Sequence, residues 1–323
     1  MITLLNKPKL SHHDIYNSAN ERRVSLLPHL EDFLQKHPLF KGKDVHVFFP
    51  TAGAASLTCI LNVSGAKKVL KIPLSPKSFY GYEGAFLKAW EKVGVRVPHV
   101  LEEGIIDGSY YVLMDFVDAM TLQETYKKGE IIRKEIFVKM GSILRLMHTA
   151  TSEGFGSVKN GKGGYERFSE WLDNEIDRRR PAIDEVGDNF PAAIATLNKC
   201  IGTSSQSSYC HNDFAYQNIF ATEPLTVFDP VPVLNHPYMD LAGAIVKAIG
   251  RGISDAAAEQ LIKGYSGNSS NINGDTVLNR STLQAALIIQ SHMLFTIWIQ
   301  TGKEQGIKDV REYLEKTKNL LIC

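Results

Sequence analysis

The chain lacks most of the features that would assign it to a specialised class. Its four cysteines, Cys59, Cys200, Cys210 and Cys323, are too few and too scattered for a disulfide scaffold or a close-paired zinc site, so they read as ordinary thiols. The histidines, the pair His12 and His13 included, have no spacing with cysteines or carboxylates that would bind zinc. No apolar run reaches membrane-spanning length, and the opening MITLLNKPKLSHHD has too short an apolar stretch for a secretory signal. A cytoplasmic protein without membrane partners is expected. Charge of one sign is missing as well: 36 basic against 35 acidic residues exclude a broad basic surface, so no nucleic-acid partner is expected. Repeats, low-complexity blocks and a Pro-rich linker are also absent.

What is present is an ordinary globular composition, 44% hydrophobic and 22% charged, over 323 residues, enough for two lobes. Residues 1–44 carry Leu26, Leu27, Leu30, Phe33 and Leu34 at helical spacing and read as a helical preface. From Val45 to Pro73 the runs VHVFF, LTCILNV and KKVLKI alternate as three antiparallel strands, with a turn at Ser64-Gly65. A helix follows over Tyr82–Val93, closed by Gly94, and Pro98 to Phe116 gives two more strands about the turn Asp107-Gly108. Beyond Val117 helical periods dominate, over Arg133–Thr149, Phe168–Arg180, Phe190–Cys200 and from Leu241 onward, interrupted only by YCHNDF, NIFA and LTVFDP. The reading is an α+β chain of two lobes. Residues 1–116 would form an N-terminal lobe with a five-stranded antiparallel sheet and one helix, and residues 117–323 a larger, mainly helical lobe, with a short hinge near Asp115 to Asp118.

The chemistry concentrates in His211-Asn212-Asp213-Phe214-Ala215-Tyr216-Gln217-Asn218, an acid and an amide on one loop between apolar flanks. In phosphoryl transfer a carboxylate takes or orients the proton of the attacking hydroxyl while an amide oxygen holds magnesium on the nucleotide phosphates. Asp213 and Asn218 fit those roles. A second carboxylate must reach the metal from another strand, and Asp229, ending the apolar run LTVF, stands where a short hairpin would return it.

The ordered set HNDFAYQN, FDPVP and Asp240-Leu241-Ala242 resembles the aminoglycoside phosphotransferase family of protein-kinase-like enzymes, which carry HGDxxxxN, then IDP or IDW, then DLA. The resemblance runs over roughly residues 45 to 270 and implies a kinase-like bilobal fold. It also implies a magnesium-dependent transfer of the γ-phosphate of ATP or GTP to a small hydroxylated acceptor such as an aminoglycoside, a sugar or an amino alcohol, by a monomer or homodimer. By the same resemblance Lys71 would neutralise nucleotide phosphates, held by Glu83, with Lys68 as the substitute. Gly53 and Ser56, in the small-residue turn Thr51 to Ser56, would cover the phosphates, an ordinary hairpin turn being the alternative. Met114 would lie behind the purine while the main chain of Asp115 and Val117 bonds its edge, unless the segment is only a buried strand end. His211 would order the catalytic loop without being the base, Asp240 would accept backbone hydrogen bonds from that loop, and His148 reads as a packed helix residue. Asp173, Glu175, Asp177, Asp184, Glu185 and Asp188 form an acidic-leaning stretch, interrupted by Arg178 to Arg180, where a polycationic acceptor would bind. Trp171, Tyr165 and Trp298 would line an acceptor pocket or pack in the core. A nucleotide-binding pseudokinase without turnover is the reading from another class.

Overall fold

The alternating runs of the first third pair into one sheet. The computed structural model describes residues 1–10, 17–50, 55–74, 82–127, 134–159, 161–183, 190–250, 255–267 and 278–300. The chain divides into two compact units, one of residues 1–91 with 96–119 and one of residues 92–95 with 120–323.

In the first unit β2 (Val45–Phe48), β3 (Ser56–Val63), β4 (Ala66–Pro73), β5 (Val100–Ile106) and β6 (Ser109–Asp115) are the five expected strands. A sixth, β1 (Ile2–Leu4), lies parallel to β2 in register Ile2↔Val45, and the sheet order is β1-β2-β3-β4-β6-β5. The helical preface is therefore corrected: its first residues extend the sheet, and the helix α1 spans Asn17–Lys36. Leu26, Leu30 and Leu34 of α1 are buried in one core with Val45, Val47, Leu61, Leu70 and Leu113, as their helical spacing requires. Both hairpin turns have positive φ at both central residues, 52° and 88° at Ser64-Gly65 and 46° and 70° at Asp107-Gly108, the type I′ form that matches strand twist. The helix α2 (Glu83–Lys92) buries Phe86, Leu87 and Trp90.

The second unit is mainly helical, with α3 (Leu122–Lys127), α4 (Lys134–Met147), α5 (Phe168–Ile183), α6 (Phe190–Ile201), α7 (Pro237–Gly250), α8 (Asp255–Ser266) and α9 (Arg280–Gln300). It holds more strand than the sequence suggests. β7 (Thr151–Glu153) pairs with β10 (Gln206–Ser208), while β8 (Phe155–Lys159) pairs with β9 (Lys162–Tyr165) and with β13 (Val233–Leu234). The pair β11 (Ile219–Phe220) and β12 (Thr226–Val227) forms the hairpin expected between Asn218 and Asp229. The helices α4 and α8 approach through glycines: a Cβ on Gly141 would fall on the Leu261 carbonyl, and one on Gly264 on the Val138 carbonyl. No described helix is long and apolar enough to cross a membrane.

Candidate functional site

Lys71 faces the helix rather than solvent. In the first unit its Nζ lies 2.6 Å from Glu83 Oε2, with side-chain exposures of 9% and 3%. Glu83 opens α2, where a carboxylate also meets the positive end of the helix dipole. Lys68, the substitute, is paired elsewhere: its Nζ donates to Asp115 Oδ1 at 2.6 Å. Ser56 is buried at the first position of β3, its hydroxyl 3.1 Å from that of Thr58. Gly53 lies outside the described residues. Met114 is buried on β6, and the main chain beyond it offers a defined set of groups. Asp115 N–H donates to the His99 carbonyl at 2.9 Å, and the Val117 carbonyl accepts Ala119 N–H at 3.0 Å.

In the second unit a single-turn helix, Tyr216–Asn218, closes the loop that begins at His211. Asn218 Nδ2 donates to Asp213 Oδ2 and to the Asp213 carbonyl, both at 2.8 Å. Those two bonds orient the amide and turn Oδ1 away from Asp213. The hairpin β11–β12 then sets Phe228 beside Asn218, with Phe228 N–H donating to the Asn218 carbonyl at 3.1 Å, so that Asp229 follows immediately. His211 Nε2–H donates to the Phe228 carbonyl at 2.9 Å, and its Nδ1 accepts Asp213 N–H at 3.3 Å. Burial lowers the His211 pKa, which leaves a neutral ring that links the loop to Phe228, the residue before Asp229. Both Asn212 and Asp229 hold left-handed backbones, φ 58° and 59°. Asn and Asp are the side chains that tolerate this region best, and Asn212 stands where the resembling motif has glycine. The Asn212 amide bonds the Val231 and Val233 carbonyls at 2.9 and 2.7 Å, ties that glycine lacks.

Helix α7 holds the loop from behind. Pro237 stands at its first position, and His236 Nδ1 accepts Tyr238 N–H at 3.3 Å. Burial and the neighbouring His148 lower the His236 pKa to about 4, so the ring is the neutral acceptor that this bond requires. Asp240 Oδ2 accepts His211 N–H at 2.6 Å, and Oδ1 accepts Asn212 N–H at 2.8 Å. His148 Nε2 lies 3.1 Å from the same carboxylate, and its Nδ1 lies 2.8 Å from the Tyr265 hydroxyl. Burial alone would raise the Asp240 carboxyl; the hydrogen bond and charge of His148, with His211, carry it below its ordinary value. His148 is thus buried, as expected, and also part of a polar network. His148, Cys210 and Asp240 bring ligand atoms within 4.8 Å of one another, but that carboxylate is already engaged by three donors.

Sequence reasoning missed Lys247. Its Nζ lies 2.7 Å from Asp213 Oδ1 and donates to the Asn212 carbonyl at 2.9 Å. Burial pushes the Asp213 carboxyl up, while Lys247 and, to a smaller degree, His211 and Asn218 bring it below the usual value. The available signal was its place seven residues, two helical turns, after Asp240, which puts both side chains on one helix face.

Of the expected acidic stretch, Asp173 and Asp177 are exposed. Glu175 is buried with Oε1 2.6 Å from Arg178 Nη1, and Asp184, Glu185 and Asp188 lie outside those residues, as does the Trp298 side chain. Trp171 packs on Phe168 in the core at 5.5 Å.

The residues present fit a hard cation: Asn218 Oδ1 makes no hydrogen bond among the described residues, and Asp229 brings a second oxygen donor two residues past the end of β12.

Fold and loop together define a phosphotransferase. Residues 49–274 match the APH phosphotransferase enzyme family, and the chain belongs to that family of small-molecule kinases. Solved structures agree in fold. The aminoglycoside phosphotransferase APH(4)-Ia superposes at a TM-score of 0.60 with 14% identity, covering 91% of this chain and 98% of that one. A thermostable mutant of it was crystallised with ADP and hygromycin B. A Haemophilus somnus 129PT protein provisionally assigned as a fructosamine-3-kinase superposes at 0.59 with 14% identity, covering 90% and 96%. In sequence, an uncharacterized Staphylococcus aureus protein in the ileS 3′ region is 28% identical over 131 residues, 39% of this chain and 92% of that protein.

Proposed function

We propose that the protein moves the γ-phosphoryl group of ATP or GTP to a hydroxyl of a small, soluble acceptor in the cytoplasm, working as a monomer or homodimer. Asp213 is the base. Its Oδ2 is held by Asn218 and its Oδ1 by Lys247. As the acceptor oxygen bonds to the γ-phosphorus, the bond to the leaving β-phosphate oxygen breaks, and the hydroxyl proton passes to Asp213. The products are a phosphate monoester and a nucleoside diphosphate. Lys71, steadied by Glu83, binds the nucleotide phosphates; Gly53 and Ser56 belong to the turn that covers them. Met114 lies behind the base, and the main chain of Asp115 and Val117 bonds its edge. Asn218 and Asp229 would hold Mg2+, which when bound neutralises phosphate charge. His211 and Asp240 keep the loop in shape.

The observation that carries this reading is the Asn218 amide, oriented by Asp213 at 2.8 Å so that one loop holds both a carboxylate base and an amide oxygen for the cation. The acceptor class stays at aminoglycosides, sugars and amino alcohols. The test is nucleotide consumption by purified protein across such hydroxylated compounds with ATP and GTP, wild type beside Asp213→Asn. Acceptor-dependent turnover by wild type alone supports the reading. Magnesium-dependent nucleotide binding without turnover across the panel would mark a pseudokinase instead.

A further inference from the structure

Lys247 is set in an apolar helix. Its neighbours Leu241, Ala242, Ala244, Ile245, Val246 and Ala248 are all buried, and its own side chain is 11% exposed. An ammonium is costly in such a place unless a carboxylate and further acceptors meet it, and an apolar side chain there would serve packing at least as well. What meets it is the loop: Asp213 Oδ1 at 2.7 Å and the Asn212 carbonyl at 2.9 Å. Two turns earlier on the same helix, Asp240 takes the N–H groups of His211 and Asn212. One helix face therefore grips the peptide N–H groups with an anion and the carbonyl and carboxylate with a cation. The two oxygens of Asp213 are divided, Oδ2 to Asn218 and Oδ1 to Lys247. Held at one oxygen only, the carboxylate would be free to turn about its Cβ–Cγ bond, a broad two-fold torsion.

We propose that Lys247 is a positioning residue for phosphoryl transfer, fixing the carboxylate plane of Asp213 toward the acceptor hydroxyl through its paired bonds to Asp213 Oδ1 and the Asn212 carbonyl. The proposal rests on the reading of Asp213 as the base. It separates Lys247 from a merely structural lysine, whose loss would change stability and leave the chemical step intact. A misplacement of about 1 Å at a base costs roughly a hundredfold in rate, with little effect on how the nucleotide binds.

The experiment compares Lys247→Met, Lys247→Arg and Lys199→Met, the last a control at an exposed lysine of α6. With an acceptor found by the panel, Lys247→Met lowers kcat on the order of a hundredfold with KM for nucleotide within about threefold, and Lys247→Arg recovers most of the loss. Lys199→Met matches wild type. A kcat for Lys247→Met within about threefold of wild type, or above it, overturns the proposal; the latter result would make the ammonium a block on the base. A crystal structure of Lys247→Met judges the placement without turnover: the Asp213 carboxylate rotates away from Asn218 while the Asp240 bonds persist. An unchanged Asp213–Asn218 bond overturns the proposal. Absence of turnover in wild type would instead count against the phosphotransfer reading, leaving the crystal structure to decide on Lys247.

Discussion

The two units hold their charged groups in opposite ways. In the first, Lys71 and Glu83 form a compact pair between a strand and the first turn of a helix, both almost wholly buried. In the second, Asp213 sits in a web in which His211, Asn212, Asn218, Asp240 and Lys247 each make at least two bonds to loop, hairpin or helix. A buried ion pair sets opposite charges against each other, so loss of one of them makes the other costly to bury. A web distributes geometry, so loss of one member misaligns the others before it unfolds them. The expected consequences differ in kind, with stability leading in the first unit and turnover in the second.

The largest effect falls on activity in the web. Asp213→Asn removes the proton acceptor and should cut kcat by about 10²–10⁴, measured by steady-state kinetics. In the pair, Lys71→Met should cost about 3–5 kcal/mol, read from urea unfolding, because the buried Glu83 carboxylate loses the ammonium 2.6 Å away. The double change Lys71→Met with Glu83→Leu should regain much of that stability and none of the activity. Equal recovery of both would erase the contrast between the units. Asp240→Asn exchanges a charged acceptor for a neutral one and should cost about 1.5–3 kcal/mol. Because the folded Asp240 carboxyl lies below its unfolded value, its contribution is present above about pH 4 and is lost as pH falls further; the urea midpoint of the variant should show less acid dependence than wild type. The smallest effect is Arg22→Ala, which breaks a partly exposed pair with Asp107 at 2.6 Å and should change stability by less than about 1 kcal/mol.

Legibility in the sequence follows the same contrast. Strands β2 to β6 and helix α2 were readable because alternation and helical spacing report burial on one face. The pair at Lys71 and Glu83 came from family resemblance, and its ion pair is seen in the structure. The three-residue β1 was not readable: ITL is too short to show a period, and its pairing with Val45 is made across the whole of α1. Strands β7, β8 and β9 hide in a stretch rich in glycine, TSEGFGSVKNGKGGY, where packing across the chain overrides local preference. Within the loop the motif spacing located Asp213, Asn218 and Asp229. Lys247 escaped because a lysine among AIVKAIG looks like a lone polar interruption of an apolar helix until Asp240 is counted two turns back.

The most direct test of the central claim is phosphorus NMR of the wild-type reaction with nucleoside triphosphate, magnesium and an acceptor found by the panel. The account predicts a phosphate monoester and nucleoside diphosphate appearing in equal amounts, with both absent for Asp213→Asn. Release of inorganic phosphate with no monoester, or the same monoester signal from Asp213→Asn, would contradict it.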